Sequence, residues 1–195
     1  MVSPSNFVKI PKERVGVLIG PDGKVRQRIE EKLDVKLKID SESGDVEIAL
    51  NPKATDPSSL FRAVDVVTAI GRGFSPDHAF KLLDREDTVF EIIDLHELIG
   101  KSEADLTRLK GRVIGKEGRT RNLIEELTET NVSVYGHTIG IIGAGEEVEI
   151  AKQAIRMLLR GSLHATVYRF LHNKRRDLKK KKLEIWKPPG ERFEE

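Results

Sequence analysis

The sequence contains no cysteine. A disulfide framework, a thiolate zinc site and a cysteine nucleophile are therefore excluded. The chain also lacks any run approaching the roughly 18–20 apolar residues of a membrane span, and its first residues show no uninterrupted apolar segment of the signal-peptide kind. Because disulfides belong to oxidising compartments, these absences predict a cytoplasmic protein without a membrane segment.

The sequence also has little excess charge of either sign. Among 195 residues, 34 are Lys or Arg and 32 are Asp or Glu, so the net charge is only +2. Overall charge therefore gives no argument for a nucleic-acid partner, and any such argument must come from local clusters. Hydrophobic residues make up 38% of the chain, which is sufficient for a packed core.

What the sequence does contain is an internal repeat. The segment 16–31 recurs at 111–126, with half of its positions identical, including both glycines of a G-x-x-G motif. A weaker match relates 72–83 to 160–171. Repeats of this kind indicate two copies of one structural unit. We therefore predict a first unit at 1–84, a second at 85–173 and a basic tail at 174–195.

The periodicity around both copies predicts the same order of elements. Alternating residues indicate strands, and apolar residues spaced by three and four indicate helices. The first unit has these expected elements: strand 7–10, helix 24–33, strands 35–39 and 46–50, and a helix to about Arg72 capped by Ser58 or Ser59. The second has strand 88–95, helices 106–114 and 119–129, a hairpin turning at Gly136-His137, and helix 145–159. Each unit is therefore β-α-α-β-β-α with one extra helix.

A G-x-x-G motif between two short helices, followed by a hairpin and a helix, resembles the type I KH domain. The resemblance covers both halves of the chain and implies an α+β fold, with a three-stranded antiparallel sheet and helices on one face in each unit. It also implies that the glycine loops clamp a single-stranded RNA backbone. Glycine permits close approach of that backbone, and the following helix N-terminus favours phosphate.

By this resemblance, the RNA-binding residues are Gly20, Pro21, Asp22, Gly23, Lys24 and Arg26 in the first unit, and Arg112, Gly115, Lys116, Glu117, Gly118, Arg119 and Arg121 in the second. The expected base-binding groove comprises Leu18, Ile19, Ile29, Leu37 and Ile39, and Val113, Ile114, Ile124, Val132 and Val134. Many of these apolar residues are equally compatible with a place in the core, since groove and core share one helix face. Arg26 and Arg121 are likewise compatible with a solvated helix face.

The two loops differ in charge. The first contains Asp22, and Val17 stands where the second unit has Arg112. Because a carboxylate repels phosphate, we expect the second unit to contribute more RNA affinity. Glu30–Glu31 and Glu125–Glu126 are expected to pair within their helices rather than to carry chemistry.

Other features of the sequence give weaker indications. The basic segment 174–182 is compatible with a helix extension, a solvated run or an arm that grips RNA. The five histidines show no H-x-x-x-H spacing, so we predict no metal site. No catalytic set or cofactor motif is recognisable, and we predict a protein that is not an enzyme and needs no cofactor. Trp186 and Phe193 lie in the terminal segment and are candidates for docking on the protein or on a partner.

More of the chain resembles a narrower family. The matching segments are 64–83, 91–95, 108–118 and 164–171. They are similar to the tandem-KH ribosome assembly factor of archaea and eukaryotes, the "partner of Nob" type, in the archaeal form that keeps both G-x-x-G loops. The segment 96–107 is longer than its first-unit counterpart, and S102-x-x-D105 predicts a cap for an added helical turn.

The family resemblance implies a role in rRNA processing and binding near the 3′ end of small-subunit rRNA. It also implies contacts with the rRNA endonuclease, the rRNA dimethylase and the alpha subunit of initiation factor two. Two alternatives stay open: a KH-based protein-interaction scaffold, and an RNA adaptor of another RNA-processing complex. The intact glycines favour RNA binding over the scaffold.

Overall fold

The computed structural model describes residues 5–52, 54, 56–99 and 102–185. It contains two units that share the order β-α-α-β-β-α, and the second has one additional short helix after its first strand. The first unit comprises β1 Ser5–Lys9, α1 Lys12–Ile19, α2 Lys24–Leu33, β2 Val35–Ile39, β3 Asp45–Leu50, α3 Ser59–Gly71, α4 Pro76–Ala79 and α5 Lys81–Asp84. The second comprises β4 Thr88–Asp94, α6 His96–Ile99, α7 Glu103–Ile114, α8 Arg119–Thr128, β5 Asn131–Tyr135, β6 Thr138–Ala144, α9 Gly145–Leu159 and α10 His164–Ile185. The predicted α+β tandem architecture is confirmed.

Each unit has a three-stranded antiparallel sheet whose central strand is the last in sequence. The strand orders are β1-β3-β2 and β4-β6-β5. In β2 and β3 the buried residues alternate with exposed or half-buried ones, as expected for strands with one face on a core. The strands β2 and β5 are therefore edge strands, and each keeps one row of main-chain groups directed away from its sheet.

The helices cover one face of each sheet and enclose a separate core in each unit. The first core is formed around fully buried side chains that include Leu18, Ile29, Leu37, Ile48 and Ile70. The second core contains, among others, Ile124, Ile139, Ile141, Ile155 and Leu158. The predicted helical spacing of the apolar residues thus marks the inward faces correctly.

The two units pack against each other through the outer face of the second sheet. Ile142 on β6 is fully buried in the core of the first unit. A side chain at Gly140 would meet the ring of Phe74 at 2.6 Å, so glycine is required there for the close approach. Ser133 Oγ donates a hydrogen bond of 2.9 Å to the Arg72 carbonyl. The second sheet therefore has no free face in its central strand.

Two predicted helix caps have different outcomes. Ser102 caps α7 as predicted, because its Oγ accepts a hydrogen bond of 3.4 Å from the Asp105 N–H. The helix consequently begins at Glu103, three residues before the predicted start. Ser58 occupies the cap position of α3 without a capping bond; its hydroxyl instead donates to Asp56 Oδ2 at 2.7 Å.

The extra helix of the second unit does not end at the predicted boundary of 173. Instead, α10 runs without interruption from His164 to Ile185, and Leu178, within the basic segment, is buried in the second core. The tail is therefore a helix extension as far as the described residues reach, and Trp186 and Phe193 lie outside them. Within the described part of the chain, no helix combines the length and apolar character needed to cross a bilayer.

Candidate nucleic-acid interface

The two glycine loops have the same backbone conformation. Their first glycines, Gly20 and Gly115, have φ of 74° and 72°, and their second glycines, Gly23 and Gly118, have φ of 75° and 77°. All four values lie in the left-handed region that favours glycine. In both loops a 3-10 turn leads directly into the next helix. The duplication inferred from the sequence therefore extends to the geometry of the loop.

The first and second glycines of each loop have different roles. A Cβ on Gly20 would collide with Val25 Cγ2, and one on Gly115 would collide with Thr120 Oγ1. The first glycine is therefore needed for packing against the following helix. A Cβ on Gly23 would meet nothing within 4 Å, and one on Gly118 would have its nearest neighbours at 3.8 Å. The second glycine thus presents bare main chain to solvent, where another backbone can approach closely.

The acidic residue in the loop does not distinguish the two units. Asp22 and Glu117 occupy equivalent positions, both with positive φ, of 52° and 55°. Asp22 lies 3.7 Å from Lys24 Nζ, and Glu117 lies 3.6 Å from Arg119 Nη2. Asp22 therefore does not set the first loop apart, because the second loop carries the same exposed ion pair. That the second unit contributes more RNA affinity stays a prediction.

The residue after the first glycine is the real difference between the loops. Pro21 has no N–H group and no charge, whereas Lys116 has both. Both side chains are exposed, and among the described residues Lys116 makes no ion pair. Because main-chain N–H groups and cations both attract phosphate, the second loop offers one more donor and one more free positive charge.

Glu30, Glu31 and Glu125 pair within their helices as predicted, whereas Glu126 lies 3.6 Å from Arg175 on α10 instead. Arg26 Nε lies 3.2 Å from Glu30 Oε1, and the same oxygen accepts the Leu37 N–H at 2.7 Å. In the second unit Glu125 Oε1 accepts the Val132 N–H at 2.7 Å, and Arg121 Nε lies 3.9 Å from Glu125 Oε2. In each unit a glutamate carboxylate therefore caps the open edge of β2 or β5, and in the first unit Arg26 hydrogen-bonds that carboxylate.

Arg112 is not available for RNA in the way the sequence suggested. Its Nε donates to the Leu158 carbonyl at 2.8 Å and its Nη2 to the Ser162 carbonyl at 2.7 Å. The guanidinium is half-buried and joins α7 to the end of α9, so we correct its assignment from phosphate contact to structural brace. Sequence comparison between the repeats missed this role, because the corresponding position in the first unit is Val17.

The predicted base-binding groove is correct for four of its ten residues. The other six are buried and belong to the cores, so their assignment to the groove is wrong: Leu18, Ile29, Leu37, Val113, Ile124 and Val132. Four other predicted groove residues are half-buried and accessible beside the loops and the edge strands: Ile19, Ile39, Ile114 and Val134. Neighbouring positions on one helix differ in burial because each points about 100° away from the last.

A cavity lies along the edge of β2 in the first unit. Its volume is about 420 Å³ and its lining includes Arg26, Leu37, Ile39 and the lysines Lys36 and Lys38. Glu47 also lines the cavity, and its Oε2 lies 3.6 Å from Lys38 Nζ. Three cations against one carboxylate leave the lining positive, which suits a nucleobase whose phosphates lie outside. The predicted residues Arg26 and Ile39 are therefore brought together, while the two lysines were not predicted.

Helix α10 begins beside the second loop and runs along α8 away from it, so that Arg175 lies 3.6 Å from Glu126 near the far end of α8. Tyr168 Oη and Thr120 Oγ1 are 2.9 Å apart, which ties α10 to the start of α8. Further along, Arg176, Lys179 and Lys180 are exposed on α10. Positions spaced by three and four lie on one face of a helix, so these cations form a stripe on its solvent side.

Comparison with known proteins identifies both units. The family model for the second KH domain of PNO1, described as a eukaryotic-type KH domain (KH domain type I), matches residues 89–176. A general KH domain model matches residues 5–56. The two matches include the second and first glycine loops respectively.

Three individual proteins illustrate the likeness. A KH domain-containing protein of Methanocaldococcus jannaschii is 51% identical over 93% of this chain and 78% of its own length. The pre-rRNA-processing protein PNO1 of Saccharomyces cerevisiae is 28% identical over 84% of this chain, and the matched region spans 60% of the yeast protein. A chain in the solved a/eIF2alpha–aDim2p–rRNA complex of Pyrococcus horikoshii is 47% identical with a TM-score of 0.83, covering 90% of this chain and 96% of that one.

Proposed function

Because this chain belongs to the PNO1/Dim2 family of tandem KH-domain proteins, we propose that it binds single-stranded RNA and acts in small-ribosomal-subunit assembly. The RNA is small-subunit rRNA near its 3′ end, held by both glycine loops. One observation carries the proposal: in each loop the second glycine exposes main chain at the start of a helix. Phosphate binds at such helix N-termini without needing a large positive net charge.

The two units contribute differently to RNA binding. The second unit supplies Lys116 with its N–H and its charge, together with the cation stripe of α10. The first unit supplies the cavity beside β2 with Lys36 and Lys38. We therefore assign most of the electrostatic affinity to the second unit and a base-binding site to the first.

The family relationship also supports proposals about partners and location. A Pyrococcus horikoshii relative has been solved in a complex named for a/eIF2alpha, aDim2p and rRNA, so we propose the alpha subunit of initiation factor two as a partner here. The rRNA endonuclease and the rRNA dimethylase are further proposed partners, the setting is the cytoplasm, and the protein acts without catalysis of its own.

The test is RNA binding measured by fluorescence anisotropy over a range of salt concentrations. Three RNAs are compared: a single strand ending in the small-subunit rRNA 3′ sequence, a scrambled single strand and a duplex. The double variant Gly23→Asp/Gly118→Asp places a carboxylate on each open second glycine without a packing clash. We expect the wild type to prefer the rRNA sequence and the double variant to lose that binding.

Gly161→Asp is the matched control, because Gly161 also has positive φ and a Cβ added there would meet no atom within 4 Å, yet it lies outside both loops. The φ of Gly161 is 96°, so Gly161→Asp strains the backbone more than a substitution at Gly23 or Gly118 does. RNA binding that is retained in Gly161→Asp would therefore show that the double variant loses binding through its loops and not through backbone strain. Equal, purely salt-driven binding of all three RNAs, unchanged in the double variant, would contradict the proposal and favour a protein-interaction scaffold.

A further inference from the structure

Two histidines and an aspartate meet where the end of β4 approaches the β5–β6 turn, away from both glycine loops. Asp94 is the last residue of β4 and pairs with Thr138, which follows His137 in the turn. The Leu95 N–H donates to the His137 carbonyl at 2.8 Å, and the His96 N–H donates to Asp94 Oδ1 at 2.8 Å. Strand pairing and main-chain hydrogen bonds therefore hold the three side chains together.

The donor atoms of these side chains converge. One ligand atom from each of Asp94, His96 and His137 lies within 4.8 Å of the other two. Asp94 Oδ2 is 3.8 Å from His137 Nε2, and the two imidazole rings stack with centroids 4.3 Å apart. Ligands of a tetrahedral zinc ion lie roughly 3.3 Å from one another, given metal–nitrogen bonds of about 2.0 Å. Small side-chain rotations would therefore bring this set to bonding distance.

The chemistry of the set favours a particular class of ion. Two imidazole nitrogens and one carboxylate oxygen suit a borderline divalent transition metal rather than calcium or magnesium. Asp94 Oδ1 is already engaged by the His96 N–H, which orients the carboxylate and leaves Oδ2 for an ion, as outer-shell bonds do in metal sites. The side chains of Asp94 and His137 are each 37% exposed, so an ion can enter from solvent.

We propose that Asp94, His96 and His137 bind one divalent transition-metal ion of the zinc type, with solvent completing its coordination. The ion ties the β5–β6 turn to the chain that follows β4. The same turn is contacted by α7, since Lys110 Nζ donates to the Gly136 carbonyl at 3.1 Å, and α7 leads into the second glycine loop. The role is therefore structural, and none of the three ligands is among the residues proposed to contact RNA.

The test is titration of the tag-free, full-length protein with Co²⁺, whose visible absorption reports its coordination, followed by competition with Zn²⁺. We expect one saturable site per chain and displacement of Co²⁺ by Zn²⁺. Loss of an outer-shell partner costs about 10–100-fold in metal affinity, so His137→Ala, His96→Ala and Asp94→Asn should each cost more than that. His172→Ala removes an exposed histidine on α10 and should leave the affinity unchanged.

Folding is monitored by circular dichroism in the absence of metal, and His137→Gln serves as a second variant if His137→Ala unfolds. The absence of a saturable Co²⁺ site in the wild type would overturn the proposal, because an ion pair between Asp94 and protonated His137 binds no metal. Binding that survives both His137→Gln and Asp94→Asn would overturn it as well, since the ion would then be held elsewhere.

Discussion

The two units anchor the end of their long helix with the same pair of hydrogen bonds, but from different positions. In the first unit Arg14 donates to the carbonyls of Ile70 at 2.8 Å and Phe74 at 2.5 Å. In the second unit Arg112 makes the corresponding bonds to Leu158 and Ser162. Aligned by the repeat, Arg112 corresponds to position 17, one helical turn beyond Arg14. The two units thus make equivalent hydrogen bonds from arginines at different positions of the repeat.

The outer faces of the two sheets differ more strongly. In the first sheet Phe7 is 70% exposed, whereas in the second sheet every residue of β6 except Ala144 is buried. The reason is the contact between units, which covers the outer face of the central strand β6. The edge strand β4 keeps Val89 and Ile92 exposed. The two KH units therefore share the backbone conformation of their loops but differ in their surroundings.

The largest expected effect comes from the first glycine of either loop, where the two units should respond alike. Gly20→Ala or Gly115→Ala forces a Cβ into Val25 or Thr120 and imposes positive φ on alanine. Overpacking and backbone strain each cost about 1–3 kcal/mol, so we expect a loss of about 3 kcal/mol in the free energy of unfolding, measured by urea denaturation.

The matched control is Gly16→Ala or Gly111→Ala. These glycines are exposed within α1 and α7, have no positive φ, and have open space at the Cβ position. Alanine there should raise stability by about 0.5–1 kcal/mol, because glycine is unfavourable inside a helix. Similar losses at all four positions would contradict the distinction between packing and helical glycines.

A smaller loss in the free energy of unfolding is expected when either brace arginine, Arg14 or Arg112, is removed. Arg14→Ala and Arg112→Ala each remove two hydrogen bonds from a charged donor to helix-end carbonyls, at a cost of about 2 kcal/mol. Adding Val17→Arg to Arg14→Ala places an arginine at the position of Arg112. We expect part of the lost stability to return, as measured by urea denaturation.

The control for the brace is Val17→Arg alone. With Arg14 still in place, the new arginine finds both carbonyls occupied and should give no gain. If the double variant is no more stable than Arg14→Ala, the two braces are specific to their positions and the proposed equivalence of the units at this point is wrong.

These comparisons also separate what the sequence could predict from what it could not. Both glycine loops were located correctly because their requirement for glycine is local. Arg112 was misassigned because a long side chain can reach the same carbonyls from either of two helical turns. Leu18 and Ile19 were assigned together to the groove from the KH resemblance, which does not resolve which of two neighbouring helix residues points into the core. Asp94 and His137 come together only through the β4–β6 strand pairing, which residue spacing does not encode.

The RNA affinities of the two loops should differ, and exchanging the residues at positions 21 and 116 measures how much of the difference they cause. Because the loops share their backbone conformation, Pro21→Lys and Lys116→Pro should both be accommodated. We expect Lys116→Pro to weaken RNA binding by roughly tenfold, about 1.4 kcal/mol, since it removes a charge and an N–H. Pro21→Lys should strengthen binding by a few-fold. It should also steepen the dependence of the logarithm of affinity on the logarithm of salt concentration by about one released counterion.

Fluorescence anisotropy at several salt concentrations gives both quantities. The matched control is Lys12→Ala, which removes one exposed lysine at the start of α1, outside both loops and outside the α10 stripe. Equal effects of Lys116→Pro and Lys12→Ala would show that only the general positive charge matters. An unchanged affinity in the Lys116→Pro variant would remove the proposed dominance of the second loop.

The smallest expected effect concerns pH and the contact between the units. Tyr135 Oη in the second unit donates to Glu13 Oε1 in the first at 2.6 Å. This bond lowers the pKa of the Glu13 carboxyl below its usual 4.5, and it raises the pKa of the Tyr135 hydroxyl above its usual 10.0, with burial adding to the rise.

The sign of the pH dependence follows from these two directions. The stabilisation associated with Glu13 is complete above its unfolded pKa and is lost as the pH falls through the lower folded value. That associated with Tyr135 is complete below its unfolded pKa and is lost as the pH rises through the higher folded value. The bond should therefore stabilise the contact between units across the neutral range and fade at both extremes.

Tyr135→Phe tests this directly, because it removes the hydroxyl and leaves the ring. We expect the stability difference between wild type and variant, measured by urea denaturation from acid to alkaline pH, to be greatest in the neutral range. Tyr168→Phe is the control, because the Tyr168 hydroxyl bonds Thr120, which has no charge. The stability difference between wild type and Tyr168→Phe should therefore not change as the pH is lowered. A Tyr135→Phe difference that stays constant on acidification would mean that the Glu13 carboxylate contributes nothing to joining the units.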